Sequence, residues 1–295
     1  MKFVWALGLF ILPWTTLAFE GAGAFKNIET QMGFGPRYVT SEGQKKARAW
    51  LKKEVGQLAE VAEVHAWKHQ DAHGKVYALE NLIFRFNPQA KRRVILGSHY
   101  DSRHYPDQDE TDPYAPFLGA NDGASGVAVL VELARDLRRD AKNWDFGVDL
   151  IFFDAEEGEL DPKPRRWRPI GSIQFAEELG KYYPKAKPEL AIVIDMVCDK
   201  DLQLKLEQFS IDSASGEVWR LWQIGSKHSP GFIPEMGYRI YDDHWALIQK
   251  GIPSMLLIDF DYPPFHTQKD LIDQCSTQTL TAVGQTLLEF LRGKR

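Results

Sequence analysis

Two adjacent glutamates, Glu156 and Glu157, close the run Asp149-Leu-Ile-Phe-Phe-Asp-Ala-Glu-Glu in a chain of 295 residues. Paired carboxylates just beyond a strand-like apolar run are costly to take out of water unless a cation, a proton or a hydrogen-bond donor compensates them. An isolated Glu-Glu pair would ordinarily do no more than end a strand in a solvated loop. This pair has company. His99-Tyr-Asp101 follows the apolar run 93–98, Asp122 lies in Gly119-Ala-Asn-Asp-Gly-Ala-Ser-Gly126, Asp195 ends Ala191-Ile-Val-Ile-Asp, and His266 comes shortly after the run 254–259. In an open α/β sheet the carboxyl ends of parallel strands share one edge, so these side chains would meet in a crevice although they are far apart in sequence. Carboxylate and imidazole donors suit zinc, whose catalytic sites commonly use three protein ligands and keep one position open.

The elements that must position these residues follow from the apolar pattern. Segment 40–58 starts with a hydroxyl cap and sets Ala47, Leu51 and Val55 on one helical face, fit to cover a sheet. Runs 61–67 and 77–86 read as strands joined at Asp71-Ala-His-Gly74, which has hairpin-loop chemistry. A helix over 123–138 begins with small residues that allow close approach to the sheet and hold Asp122 at its N-terminus. Strands over 149–153, 190–195 and 254–259 and helices over 172–179, 216–227, 243–250 and 277–291 complete the pattern. A hairpin followed by strand–helix alternation predicts an α/β fold: a single-domain, mixed, twisted β-sheet covered by helices on both faces. The Asp- and Pro-rich stretch 103–117 reads as a long loop, of a kind that is usually functional or mobile.

With 44% hydrophobic and 12% aromatic residues the chain can bury a large core, and its net charge of −5 offers no basic stripe for nucleic acid or an anionic membrane. Met1-Lys2, the apolar stretch 3–12 and Thr16-Leu17-Ala18 match a signal peptide cleaved after Ala18, leaving 19–295 as the catalytic domain. The apolar stretch is short of the ~20 residues a spanning helix needs, so the mature chain is expected to be exported, secreted or periplasmic, a monomer, and without stable membrane association. Export would permit a disulfide between Cys198 and Cys275, but two cysteines do not show whether they are close enough, and Cys198 reads as a small buried residue.

Taken together, His99-Tyr-Asp-Ser, Gly119-Ala-Asn-Asp, Phe152-Phe-Asp-Ala-Glu-Glu157, the run 190–195, Asp242-Asp-His244 and Phe265-His-Thr267 resemble the zinc exopeptidase superfamily, in the expected order and from about Phe19 to the C-terminus. Four features resemble its animal-type glutaminyl-peptide cyclotransferases (glutaminyl cyclases) rather than its aminopeptidases. They are Phe34-Gly-Pro-Arg37, the Phe-Phe-Asp before the glutamates, a Pro- and Arg-rich insertion over 158–170, and Asp242-Asp-His where peptidases more usually have Ser-Asp-His. Departures exist too. Phe265 stands where cyclases usually have Trp, Trp167 lies farther from the glutamate pair than the usual Trp, and Ser98 and Val127 occupy the positions of the animal disulfide.

The resemblance implies that Asp122, Glu157 and His266 hold one zinc ion, that Glu156 transfers the proton, and that Asp195 and Asp242 hydrogen-bond near the substrate amine. Phe265 and Trp167 would then wall the glutaminyl side chain, and the substrates would be peptides or proteins with N-terminal Gln. His99 with Asp122, Glu157, Asp195 and His266 also makes a complete five-ligand set for a two-zinc aminopeptidase with Glu156 as general base. A non-catalytic peptide-binding protein on the same fold should lack a ligand or the base, and none is missing. A serine hydrolase is disfavoured, since no Gly-x-Ser-x-Gly elbow occurs.

Overall fold

The structure, a computed structural model, describes residues 18–158 and 167–294. The expected signal peptide, apart from Ala18, lies outside the described residues, as do positions 159–166 of the insertion. The helices are α1 (Gly21–Met32), α2 (Glu42–Glu54), α3 (Ala124–Asp140), α4 (Ile170–Glu177), α5 (Leu179–Tyr182), α6 (Gln208–Gly225), α7 (Asp243–Ile248) and α8 (Thr277–Arg292). The strands are β1 (Val61–Gln70), β2 (Val76–Phe86), β3 (Arg92–His99), β4 (Phe146–Phe153), β5 (Leu190–Asp195), β6 (Leu204–Leu206), β7 (Phe232–Met236) and β8 (Ser254–Ile258).

Six strands form one sheet in the order β1-β2-β4-β3-β5-β8, and β6 and β7 form a small second sheet. The β1–β2 hairpin and the β2–β4 pair are antiparallel, whereas β4, β3, β5 and β8 run parallel. His99 is in register with Phe153, and Asp195 with Ile258, so four strands end at one edge. The sheet is therefore mixed, as the hairpin and alternation imply.

Successive side chains on a strand point to opposite faces, and here both faces are covered. Phe84, Leu96, Leu150, Phe152 and Ile192 pack with apolar residues of α3, α6 and α8, while Ile83, Ile95, Ile151 and Phe153 pack with Phe175 of α4 and Leu247 of α7. At the start of α3, a Cβ on Gly126 would come within 2.3 Å of the Ile194 carbonyl oxygen, so only glycine lets this helix sit against β5. Far from the strand ends, buried Asp149 of β4 accepts from Arg85 Nη1 (3.0 Å), Arg93 Nε (2.7 Å) and the Tyr183 hydroxyl (2.7 Å), knitting three elements together.

Three features depart from the sequence expectations. Helix α6 starts eight residues earlier than 216 and changes course at Ala214, whose φ of −142° is not helical. Helix α1 and the β6–β7 pair were not anticipated. Cys198 is not merely a small buried residue: it is disulfide-bonded to Cys275. Its backbone N–H also donates to Asn121 Oδ1 (2.9 Å), so the cross-link braces the turn that carries Asp122.

Candidate active site

The four parallel strands deliver the chemistry. β3 ends in His99 and is followed by Asp101; β4 leads through Ala155 into Glu156 and Glu157; β5 ends in Asp195; and the segment after β8 carries Phe265 and His266. Asp122 precedes α3, held by Gly123 at φ +80°, where a Cβ would meet the Asp101 carbonyl at 2.6 Å. Asp242 caps α7 by accepting from the Asp243 N–H. Among the described residues five non-glycines have positive φ, and three of them border or belong to this site: Ala155 (54°), Met196 (45°) and His266 (55°). Such conformations persist only where the surroundings impose them, and they cluster at functional sites.

Asp122, Glu156, Glu157, Asp195, Asp242, Phe265, His266 and Trp167 all line one pocket of about 380 Å³. Every residue to which the resemblance assigns a metal, catalytic or wall role thus reaches one place, whereas His99 and Asp101 are buried and do not line the pocket. Donor atoms of Asp122, Glu157 and His266 lie within 4.8 Å of one another, as do those of His99, Asp122 and Asp195. His266 Nε2 is 3.5 Å from Asp122 Oδ2, a buried oxygen with no hydrogen-bond partner among the described residues. A buried, unsatisfied carboxylate oxygen beside an imidazole and a second carboxylate fits a divalent cation, and two oxygens with one nitrogen is an ordinary zinc donor set. His99 Nε2 lies 3.1 Å from Asp195 Oδ1 and 3.4 Å from Asp122 Oδ1.

The electrostatics separate the acids into two kinds. Burial pushes Glu156 well above the usual carboxylate range; attraction to His99 opposes this, while Asp242, Glu157 and Asp243 add to it. Burial likewise raises Asp242 strongly, with help from the charges of Asp195 and Asp243, and Asp243 is pushed up to about 7, chiefly by burial. Burial also acts upwards on Asp122, but hydrogen bonding from His99 and the charges of His266, His99 and Arg103 outweigh it, so this carboxyl sits below its ordinary value. His99 is raised well above an ordinary imidazole, because Glu156, Asp195, Asp101 and Asp122 overcome the burial that would lower it. Asp122 is thus suited to hold a cation, and Glu156 to hold a proton.

Several contributors had no role assigned to them from the sequence. Asp101 accepts the backbone N–H groups of Glu156 (3.1 Å) and Glu157 (3.4 Å). Asp270 accepts those of Asn121 (2.8 Å) and Asp122 (3.1 Å). Arg37, in the Phe-Gly-Pro-Arg segment, is fully buried and donates to the carbonyls of Tyr100 (3.3 Å), Leu118 (2.7 Å) and Gly119 (2.9 Å), joining the β3 end to the Asp122 turn. Arg103 donates to Glu157 Oε2 at 2.7 Å. Their polar loops carry no periodic pattern; the sequence signals were the Phe34-Gly-Pro-Arg37 segment for Arg37 and, for Asp101, Arg103 and Asp270, a position within a few residues of His99 or His266.

Residues 81–291 match peptidase family M28. The glutaminyl-peptide cyclotransferase of Bos taurus is 27% identical over 291 residues, covering 86% of this chain and 77% of that protein. The crystal structure of Tannerella forsythia glutaminyl cyclase is similar at 31% identity and a TM-score of 0.85, covering 95% of this chain and 100% of that one. The resemblance therefore extends to bacterial as well as animal cyclases. The crystal structure of a leucine aminopeptidase precursor from Bacteroides thetaiotaomicron superposes as closely, with a TM-score of 0.87 at 27% identity, covering 95% of this chain and 99% of that one. Backbone shape alone does not separate the two activities; the side chains must.

Proposed function

The chain belongs to peptidase family M28, and on that premise we propose that it cyclises the N-terminal glutamine of peptides or proteins to pyroglutamate with release of ammonia. The observation that carries this reading is the burial of Asp242 in the same pocket as Glu156, where burial raises both carboxyls and the charge of Asp242 adds to the rise of Glu156. An acid so placed can take a proton and give it back, as lactam formation demands. The relatives named as glutaminyl cyclases support the same reading.

Asp122, Glu157 and His266 would hold one zinc ion, which when bound would polarise the γ-carbonyl and stabilise negative charge on its oxygen. Asp195 and Asp242 accept from the substrate's α-amine and aim its lone pair at the γ-carbon. Glu156 removes a proton from that nitrogen as the new carbon–nitrogen bond forms. The same carboxyl then returns the proton to the amide nitrogen, which leaves as ammonia when its bond to the γ-carbon breaks. Phe265 and Trp167 wall the side chain and exclude water, which is no reactant here because the nucleophile is intramolecular. The sequence of residues 1–18 supports export, so the substrates would be peptides met outside the cytoplasm.

A second reading, a two-zinc aminopeptidase, is favoured by one observation: His99, Asp122 and Asp195 bring donor atoms as close together as the first triad does. Incubating the zinc-loaded protein with a Gln-initiated and a Leu-initiated peptide tests the two. Ammonia from the first supports the cyclase; free Leu from the second refutes it.

A further inference from the structure

We propose that Asp107, working with Arg103, is a positioning residue that orients His266 and links it to Glu157. This rests on the proposed metal site. Segment 103–117 has no helix or strand, and a connection of that length is ordinarily mobile. Here it is fastened beside His266. Asp109 Oδ1 accepts the N–H groups of Thr111 (2.9 Å) and Asp112 (3.1 Å), which folds the loop on itself. Asp109 Oδ2 accepts the Gln268 N–H (2.9 Å), and the Gln108 N–H donates to the His266 carbonyl (3.1 Å).

Just ahead of those two anchors, Asp107 Oδ1 lies 2.9 Å from His266 Nδ1. That nitrogen is the one remote from Asp122, whose Oδ2 lies 3.5 Å from Nε2, so the carboxylate meets the ring on the side away from the proposed metal. Asp107 Oδ2 accepts from Arg103 Nη2 (3.2 Å), and Arg103 Nη1 donates to Glu157 Oε2 (2.7 Å) and lies 3.4 Å from His266 Nε2. One carboxylate and one guanidinium therefore join side chains delivered by β4 and by the segment after β8. A carboxylate at Nδ1 keeps the proton on that nitrogen and leaves the Nε2 lone pair for a cation. Partners of this outer kind typically change metal affinity 10- to 100-fold.

The test is zinc affinity, measured by chelator competition on the full chain, for wild type, Asp107→Ala and Asp107→Asn, with cobalt(II) absorption as the spectroscopic companion. Asp107→Ala is expected to weaken zinc about 10- to 100-fold and to shift the cobalt bands, with the melting temperature of the metal-free protein unchanged. Asp107→Asn keeps an acceptor for Nδ1–H and the loop's other bonds, and is expected to fall between the two. Zinc affinities within about twofold of wild type in both variants, with unchanged cobalt bands, overturn the proposal. Wild-type protein that takes up no zinc overturns the metal site itself, a different failure.

Discussion

The carboxylate of Asp101, two residues past β3, accepts the backbone N–H of Glu156, three residues past β4, at 3.1 Å. Its other oxygen accepts from the Glu157 N–H at 3.4 Å. One buried side chain thus sets the turn that aims both glutamates, and Ala155, at φ 54°, absorbs the bend.

Replacing Asp101 with Ala leaves two buried N–H groups unsatisfied, at a cost of roughly 1–3 kcal/mol each. Displacing Glu156 by about an ångström should lower kcat on a Gln-initiated peptide by about a hundredfold. Steady-state kinetics with zinc content measured on the same sample checks this. Wild-type kcat would show that the turn is fixed by other contacts.

Glu156→Gln removes the proton carrier and keeps the shape. Turnover is expected to fall by at least ~10²–10⁴-fold, while zinc content measured by atomic absorption stays at the wild-type value. Loss of the metal would instead make Glu156 a ligand.

Asp149→Ala tests the scaffold and not the chemistry. It strips Arg85, Arg93 and Tyr183 of a shared buried acceptor, and an ion-pair network broken on one side costs about 3–5 kcal/mol. Urea unfolding should show that loss, with zinc affinity unchanged because Asp149 lies in the middle of β4, well before the glutamates that follow the strand.

Glu207 sets an acid limit. Burial would raise its carboxyl, but His244 Nε2 (3.2 Å), the Ser210 hydroxyl (2.7 Å) and the Ile240 N–H (3.1 Å) outweigh it and bring it down to about 2. An acid with a lowered folded-state pKa stabilises the fold above its ordinary value near 4.5, and that contribution fades as pH falls from there to about 2. The shift corresponds to about 3 kcal/mol at most. Melting curves of wild type and Glu207→Gln should differ most above pH ~5 and converge towards pH ~2. A gap independent of pH contradicts it.

How much of this was legible depends on where each residue draws its meaning. Strand β5 could be read to the residue because it is an unbroken apolar run, and Glu156, Glu157 and Asp195 because they end or closely follow such runs. Helix α1, Gly-Ala-Gly-Ala-Phe-Lys, is rich in glycine, which disfavours a helix; it forms because Ala24 and Ile28 bury into the main core. The start of α6 was hidden by Ser213-Ala-Ser-Gly216, where the helix changes course. β6 is three residues long, too short for any period. Arg103, Asp107 and Asp270 act through contacts made across the fold, and a polar loop gives no sign of which distant atoms it will meet.

The most direct measurement is to incubate zinc-loaded protein with a peptide beginning Gln-Phe in heavy-oxygen water and to weigh the products, with Glu156→Gln as the control for spontaneous cyclisation. The expected result is a single peptide product lighter by one ammonia and carrying no heavy oxygen, formed faster than in the control. Free glutamine with heavy oxygen in its carboxylate would contradict it and identify a hydrolase.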